Sequence, residues 1–123
     1  MTTVSTKVYT EIRGDYNGIY KGKYIDFEAK ETKSKTSFAL NNIHAHQIDH
    51  LIRVKNHGGI SFLIIKFVLL DETYLFETKF LEEFLKNESR KSIPYEYIKN
   101  NGYLLDYNYY PRIEYIKVLD KII

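Results

Sequence analysis

Residues Ile60 to Leu69 form a nearly continuous β-branched and aromatic run, ISFLIIKFVL, broken by a charge only at Lys66. A segment of that composition reads as a central strand buried in a sheet, which requires helices packed on the sheet. It is too short to cross a bilayer, and the Thr-rich N-terminus has no apolar signal segment, so a cytoplasmic protein with no membrane association is expected. At 123 residues there is room for one core, and the expectation is a single domain over residues 1–123. With 44% hydrophobic and 28% charged residues the chain is globular rather than disordered. The absence of cysteine excludes a disulfide scaffold, a thiolate zinc site and a cysteine nucleophile.

Turn signals divide the rest. A hairpin is predicted from Gly18 to Lys21, a turn at Gly22, and a strand from Lys23 to Glu31. Lys33 to Asn42 reads as a polar loop, with Asn41 or Asn42 as N-cap of a helix from Ile43 to Asn56 whose apolar stripe is Ile48, Leu51, Ile52 and the Lys55 stem. Gly58-Gly59 ends it. After the central strand come a turn at Asp71-Glu72, a strand from Tyr74 to Glu77, and helical spacing at Phe80, Leu81, Phe84 and Leu85. Ser89 to Asn101 is expected to be a basic turn and a short helix, Gly102 to Arg112 irregular, and Ile113 to Ile123 a closing helix.

The second arm of the hairpin carries the chemistry. Alternation puts Ile25, Phe27 and Ala29 on one face and Asp26, Glu28 and Lys30 on the other. Asp15 lies thirteen residues before Glu28, where the hairpin can fold it back toward the strand end. Two carboxylates near a lysine suit phosphodiester hydrolysis with a hard divalent cation: the acids hold the metal, and the amine stabilises developing charge on the phosphate. On pattern alone, ordinary charged alternation on a solvent-facing strand is the more frequent explanation of these residues, and both readings stay open. Gln47 borders the apolar stripe of the next helix, where its oxygen has either the metal site or an ordinary hydrogen bond to serve.

Residues 1–57 hold nine Lys and Arg against six Asp and Glu, whereas residues 58–123 hold nine against ten, so the mild net charge of +2 conceals a basic first half. Lys33 and Lys35 alternate with hydroxyls in a segment able to hold a phosphate backbone without reading bases, and Arg90-Lys91 is a second basic patch. A solvated charged loop is the competing explanation. His46 and His50 have the spacing of a shared metal on one helical turn, but no metalloprotease glutamate accompanies them, so zinc is disfavoured against histidines that line a groove or donate to phosphates, or plain surface histidines. No nucleophile elbow or glycine-rich phosphate loop is present, which disfavours acyl transfer and nucleotide hydrolysis.

The stretch Asp15-Tyr16-Asn17-Gly18 through Asp26-Phe27-Glu28-Ala29-Lys30-Glu31-Thr32-Lys33, with Thr36-Ser37-Phe38, His44-Ala45-His46-Gln47 and Tyr110-Pro111-Arg112-Ile113-Glu114-Tyr115-Ile116, resembles the RecU-type Holliday-junction resolvases of low-GC Gram-positive bacteria. The resemblance runs from Val8 to the C-terminus. It implies an α/β, restriction-endonuclease-like mixed β-sheet flanked by helices, a homodimer, Mg²⁺, and paired cuts across a four-way DNA junction in recombination and repair. Carried over by position, Asp15, Glu28 and Gln47 match metal-site residues and Lys30 the transition-state-stabilising lysine. Two departures stand out: Arg13 occupies the position of a family hydroxyl residue, and the family's N-terminal helix and protruding stalk have no counterpart in these 123 residues.

The expected function is therefore a Mg²⁺-dependent junction-resolving endonuclease with Asp15, Glu28 and Lys30 catalytic and Lys33, Lys35, Arg90 and Lys91 on DNA. The alternatives are a catalytically silent branched-DNA-binding module of the same fold and a plain oligomeric structural domain.

Overall fold

In the computed structural model the backbone is described for residues 15–105 and 111–122, and side chains for 17–105 and 117–122. The expectations for Arg13 and for residues 106–110 lie outside the described residues.

The hairpin forms as its sequence requires. Strand β1 (Asp15–Tyr20) runs antiparallel to β2 (Lys23–Thr32) across a two-residue turn in which Lys21 (φ 52°) and Gly22 (φ 78°) are both left-handed. Two consecutive positive-φ residues match the right-handed twist of the flanking strands, so the register is fixed. The apolar run becomes β4 (Ile60–Phe67), parallel to β2, and the crossover that a parallel pair demands is helix α1 (Ala45–Asn56). Strand β5 (Glu72–Glu77) pairs antiparallel with β4, and β7 (Tyr103–Leu105) with β5, giving one five-stranded mixed sheet in the order β1-β2-β4-β5-β7. Helices α2 (Thr78–Asn87), α3 (Tyr95–Asn101) and α4 (Pro111–Ile122) complete the sheet's cover.

Strand β4 shows why its sequence is apolar on both faces, with Lys66 exposed. Leu63, Ile65 and Phe67 enter the core with Leu51 of α1 and Leu81 and Phe84 of α2. Phe62 and Ile64, pointing the other way, enter a second core with Val118 and Leu119 of α4, where Phe62 stacks on Phe27 with centroids 4.8 Å apart. Ser61 is the buried polar exception. Its hydroxyl lies 2.6 Å from the Leu51 carbonyl and 2.7 Å from the Thr78 hydroxyl, so with one proton to give it joins α1 to the start of α2. Ser61→Ala is expected to cost about 1–3 kcal/mol by removing this buried link and the partner of the Thr78 hydroxyl, as a lower denaturant midpoint at unchanged slope would record.

Several element boundaries differ from expectation. Helix α1 begins at Ala45 rather than Ile43, and neither Asn41 nor Asn42 is its N-cap; Leu40–Asn42 form a short 3-10 turn. The cap position is His44, whose backbone N–H donates to Gln47 Oε1 at 3.0 Å. Ile43, just before the cap, is buried with Ile48 packed near it, the arrangement of a hydrophobic staple. The central strand stops at Phe67, because Val68–Leu70 tighten into a 3-10 turn closed by left-handed Asp71.

Two segments read as irregular contain strands. In the Lys33–Asn42 segment, β3 (Ser37–Ala39) pairs with β6 (Ser92–Pro94) from the supposed basic turn, placing buried Phe38 opposite buried Ile93. In the Gly102–Arg112 segment, β7 adds the sheet's last strand. Gly102 permits this, since a Cβ there would stand 2.7 Å from the Ile98 carbonyl and 3.0 Å from that of Leu75.

The small ribbon is tied to the main sheet by Glu72, whose carboxylate accepts hydrogen bonds from Tyr95 and, at 2.9 Å, from Tyr74. These donors hold its carboxyl below the usual range. The Tyr95 backbone N–H also donates to the Thr36 carbonyl at 2.8 Å, so one residue anchors both α3 and the loop leading into β3.

Candidate active site and nucleic-acid interface

The polar face of β2 is not a solvent face. Asp26 and Glu28 are 4% and 3% exposed, beneath α1, so the alternation marks two buried carboxylates rather than a wetted strand. Burying ionised groups is costly unless cations or donors surround them. Glu28 Oε1 accepts from Gln47 Nε2 at 3.1 Å and lies 3.8 Å from Lys30 Nζ, whose side chain is itself largely buried. Among the described residues the lysine's ion pair is with the acid two residues away.

Asp15 faces Glu28 directly in the β1–β2 register. Opposed residues of an antiparallel pair share a face of the sheet, so positions 15, 28 and 30 gather at one end of the hairpin. The side chain of Asp15 and residue Arg13 lie outside the description given by the structure.

Gln47 arrives beside Glu28 by a different atom from the one expected. Its oxygen is occupied by the His44 N–H at the helix start, and its nitrogen faces the acid. The carboxamide thus orients Glu28 while capping α1, which fixes the helix to the strand.

Asp26 serves another purpose. Its Oδ2 lies 2.7 Å from His50 Nε2 and accepts the Tyr24 hydroxyl at 2.8 Å. Burial, with the hydrogen bond to Asp26 and its charge, pushes the Tyr24 hydroxyl up to about 12. Of the four histidines, His44 and His46 stack with centroids 5.5 Å apart and His57 Nδ1 contacts the Arg53 carbonyl at 2.8 Å. Among the described residues no three His, Asp or Glu side chains form a metal-holding group.

The basic residues sit around the small ribbon. Lys33 and Lys35 are exposed in the loop before β3, and Arg90 and Lys91 are exposed just before β6. The Leu40 N–H donates to the Lys91 carbonyl at 2.9 Å, so the two patches, 55 or more residues apart in sequence, border one three-pair ribbon. Sequence reasoning found both patches but not the β3–β6 pairing that unites them. Lys33 continues directly from β2, placing this basic surface at the Lys30 end of the strand.

The family model described as Recombination protein U matches residues 2–121 of this chain. A Bacillus cereus strain B4264 protein named Holliday junction resolvase RecU is 57% identical over 111 residues, covering 88% of this chain and 56% of its own length. The protein of the same name from Bacillus mycoides strain KBAB4 is 56% identical over the same coverage. The chain spans about half the length of the curated relatives it matches. Among solved structures it is similar to Archaeoglobus fulgidus Hjc, a Holliday junction resolvase from an archaeal hyperthermophile, with TM-score 0.51 and 14% identity over 81% of this chain and 76% of that one. The shared architecture is the restriction-endonuclease-like fold: a mixed sheet flanked by helices. No helix among the described residues is long and apolar enough to cross a membrane.

Proposed function

The chain belongs to the Recombination protein U family, and on that footing we propose that it is a Mg²⁺-dependent endonuclease that resolves four-way DNA junctions in recombination and repair. The observation that carries the reading is buried Glu28, opposed in register by Asp15 and flanked by Lys30 and Gln47.

The donor set fits a hard divalent cation. Two carboxylates at one register position supply oxygen ligands, and a largely dry setting strengthens the attraction between anion and cation. When bound, Mg²⁺ supplies Lewis acidity toward the phosphodiester and lowers the pKa of water. Asp15 and Glu28 hold it. Gln47 fixes the Glu28 carboxylate by the 3.1 Å hydrogen bond from its amide. Lys30, already 3.8 Å from that carboxylate, places a positive charge where the phosphorus centre gains negative charge during attack. Lys33, Lys35, Arg90 and Lys91 hold phosphates of the DNA arms without reading bases. Paired cuts in a two-fold junction call for two such sites, which a homodimer provides. The substrate is chromosomal DNA, so the protein acts in the cytoplasm of a bacterial cell.

The test is cleavage of a synthetic four-way junction by this chain with Mg²⁺ and with EDTA. Cutting is expected only with the metal, and Lys30→Ala is expected to slow it about 10²–10³-fold, as loss of one transition-state charge donor does, with junction affinity retained. Metal-independent cutting, or full activity without Lys30, would overturn the reading. Salt-sensitive binding with no cutting under any divalent cation would instead identify a silent branched-DNA-binding module.

A further inference from the structure

Helix α1 and His57, the C-cap residue that follows it, present His46, His50, Arg53 and His57 at positions i, i+4, i+7 and i+11, a single line along one face, and all four are exposed. The line begins one residue from Gln47 and runs about 17 Å, at 1.5 Å per residue, along the flank of α1 nearest β2. A DNA strand rises about 3.4 Å per nucleotide, so the ridge matches a run of about five.

At its far end lies an open groove of about 280 Å³ lined by Tyr24, His50, Arg53, Val54, His57 and Gly59. Its walls are already fixed. Asp26, 4% exposed, engages one nitrogen of the His50 ring and the Tyr24 hydroxyl, holding both aromatic rings in place. The His57 ring is held by its contact with the Arg53 carbonyl, which also covers one of the carbonyls at the negative end of the helix. Arg53 is exposed, and among the described residues no ion pair joins its guanidinium to a carboxylate, including Asp49 one turn before it. A tyrosine ring 40% exposed beside Val54 and a glycine offers an apolar surface next to these donors.

We propose that this groove is a phosphodiester-binding site, taking one nucleotide of a DNA strand that leaves the Glu28 site along α1. The inference rests on the nuclease reading above and adds a contact surface separate from the basic ribbon. Arg53 and His57 hold the phosphate, and Tyr24 and Val54 receive the attached sugar or base, the combination by which single strands are held without sequence preference. The site lies on the α1 side of the sheet, whereas exposed Lys121 belongs to α4 on the other.

Equilibrium binding of a fluorescently labelled four-way junction in EDTA, measured across a salt series, tests this. Arg53→Ala combined with His57→Ala is expected to weaken binding about 5–10-fold and to reduce the slope of log K against log salt by about 0.9, one phosphate contact. Arg53→Lys should keep the slope, as should Lys121→Ala. Both altered residues are exposed, and unchanged circular dichroism and melting would verify that the double variant folds. A wild-type slope in that variant overturns the proposal while leaving the nuclease reading intact. Absence of salt-sensitive binding by the wild-type chain overturns both. Inorganic phosphate that shifts the His57 imidazole resonances, without any loss of junction affinity in the double variant, would mean a small-anion site only and also overturns it.

Discussion

Glu28→Ala is expected to lower Mg²⁺-dependent junction cleavage at least about 10³-fold, the scale of losing a metal ligand and its electrostatic contribution together, while junction affinity at fixed salt stays within about twofold. The asymmetry follows from position. Glu28 lies 3% exposed under α1 and cannot contact a phosphate arm, whereas the exposed cations Lys33, Lys35, Arg90 and Lys91 lie on the ribbon surface. Removing a buried side chain also leaves a cavity, so Glu28→Gln is the companion variant. It keeps the volume and an oxygen for the Gln47 amide but not the negative charge. The two variants should be about equally inactive if charge is what matters. Recovery of activity in Glu28→Gln would show that Glu28 acts by shape or hydrogen bonding alone.

Phe62→Ala is expected to destabilise the fold by about 3–5 kcal/mol, the range for deleting a fully buried aromatic ring. For a domain of this size that lowers Tm by about 10–20 °C. Phe62 is 0% exposed at the centre of the sheet and stacks on Phe27, which belongs to the strand carrying Glu28. The loss therefore falls on the core that holds the strand carrying Glu28 against α4. Leu69, 58% exposed in the turn after β4, provides the contrast: Leu69→Ala should stay within about 0.5 kcal/mol of wild type. Similar melting temperatures for the two variants would contradict the two-sided burial of β4.

Periodicity sufficed wherever it extended over many residues. The alternation of Ile25 through Lys30 and the nearly continuous apolar run from Ile60 placed the two central strands, and the 3–4 spacing of Phe80 to Leu85 placed α2. Strands β3, β6 and β7 have three residues each, too few for alternation to distinguish from a loop. Their existence depends on Phe38 meeting Ile93 and on Gly102 lying close to β5, contacts between distant parts of the chain. The start of α1 was legible in principle. Ile43, His44, Gln47 and Ile48 form a staple around a cap, but the neighbouring asparagines are stronger N-cap residues and point to the wrong position.

The site was legible in a similar, partial way. The spacing of Glu28 and Lys30 gave their common face, and the hairpin turn brought Asp15 opposite Glu28. What alternation could not reveal was burial: the same polar-out pattern describes a wetted strand, and only the packing of α1 distinguishes the two. Asp26 shows the limit, since it shares that face and that burial yet is engaged by His50 and Tyr24 at a different position along the strand.

On the proposed reading, Asp15 and Glu28 together hold one divalent cation at the end of the hairpin. Anomalous diffraction from crystals of this chain soaked in Mn²⁺, an oxygen-seeking ion suited to the same ligands, tests it most directly. One strong peak is expected about 2.1 Å from a Glu28 oxygen and from the Asp15 carboxylate, with Lys30 Nζ at its border. Mn²⁺ bound elsewhere, or a Glu28 carboxylate that keeps only Gln47 and Lys30 at saturating metal, would contradict it.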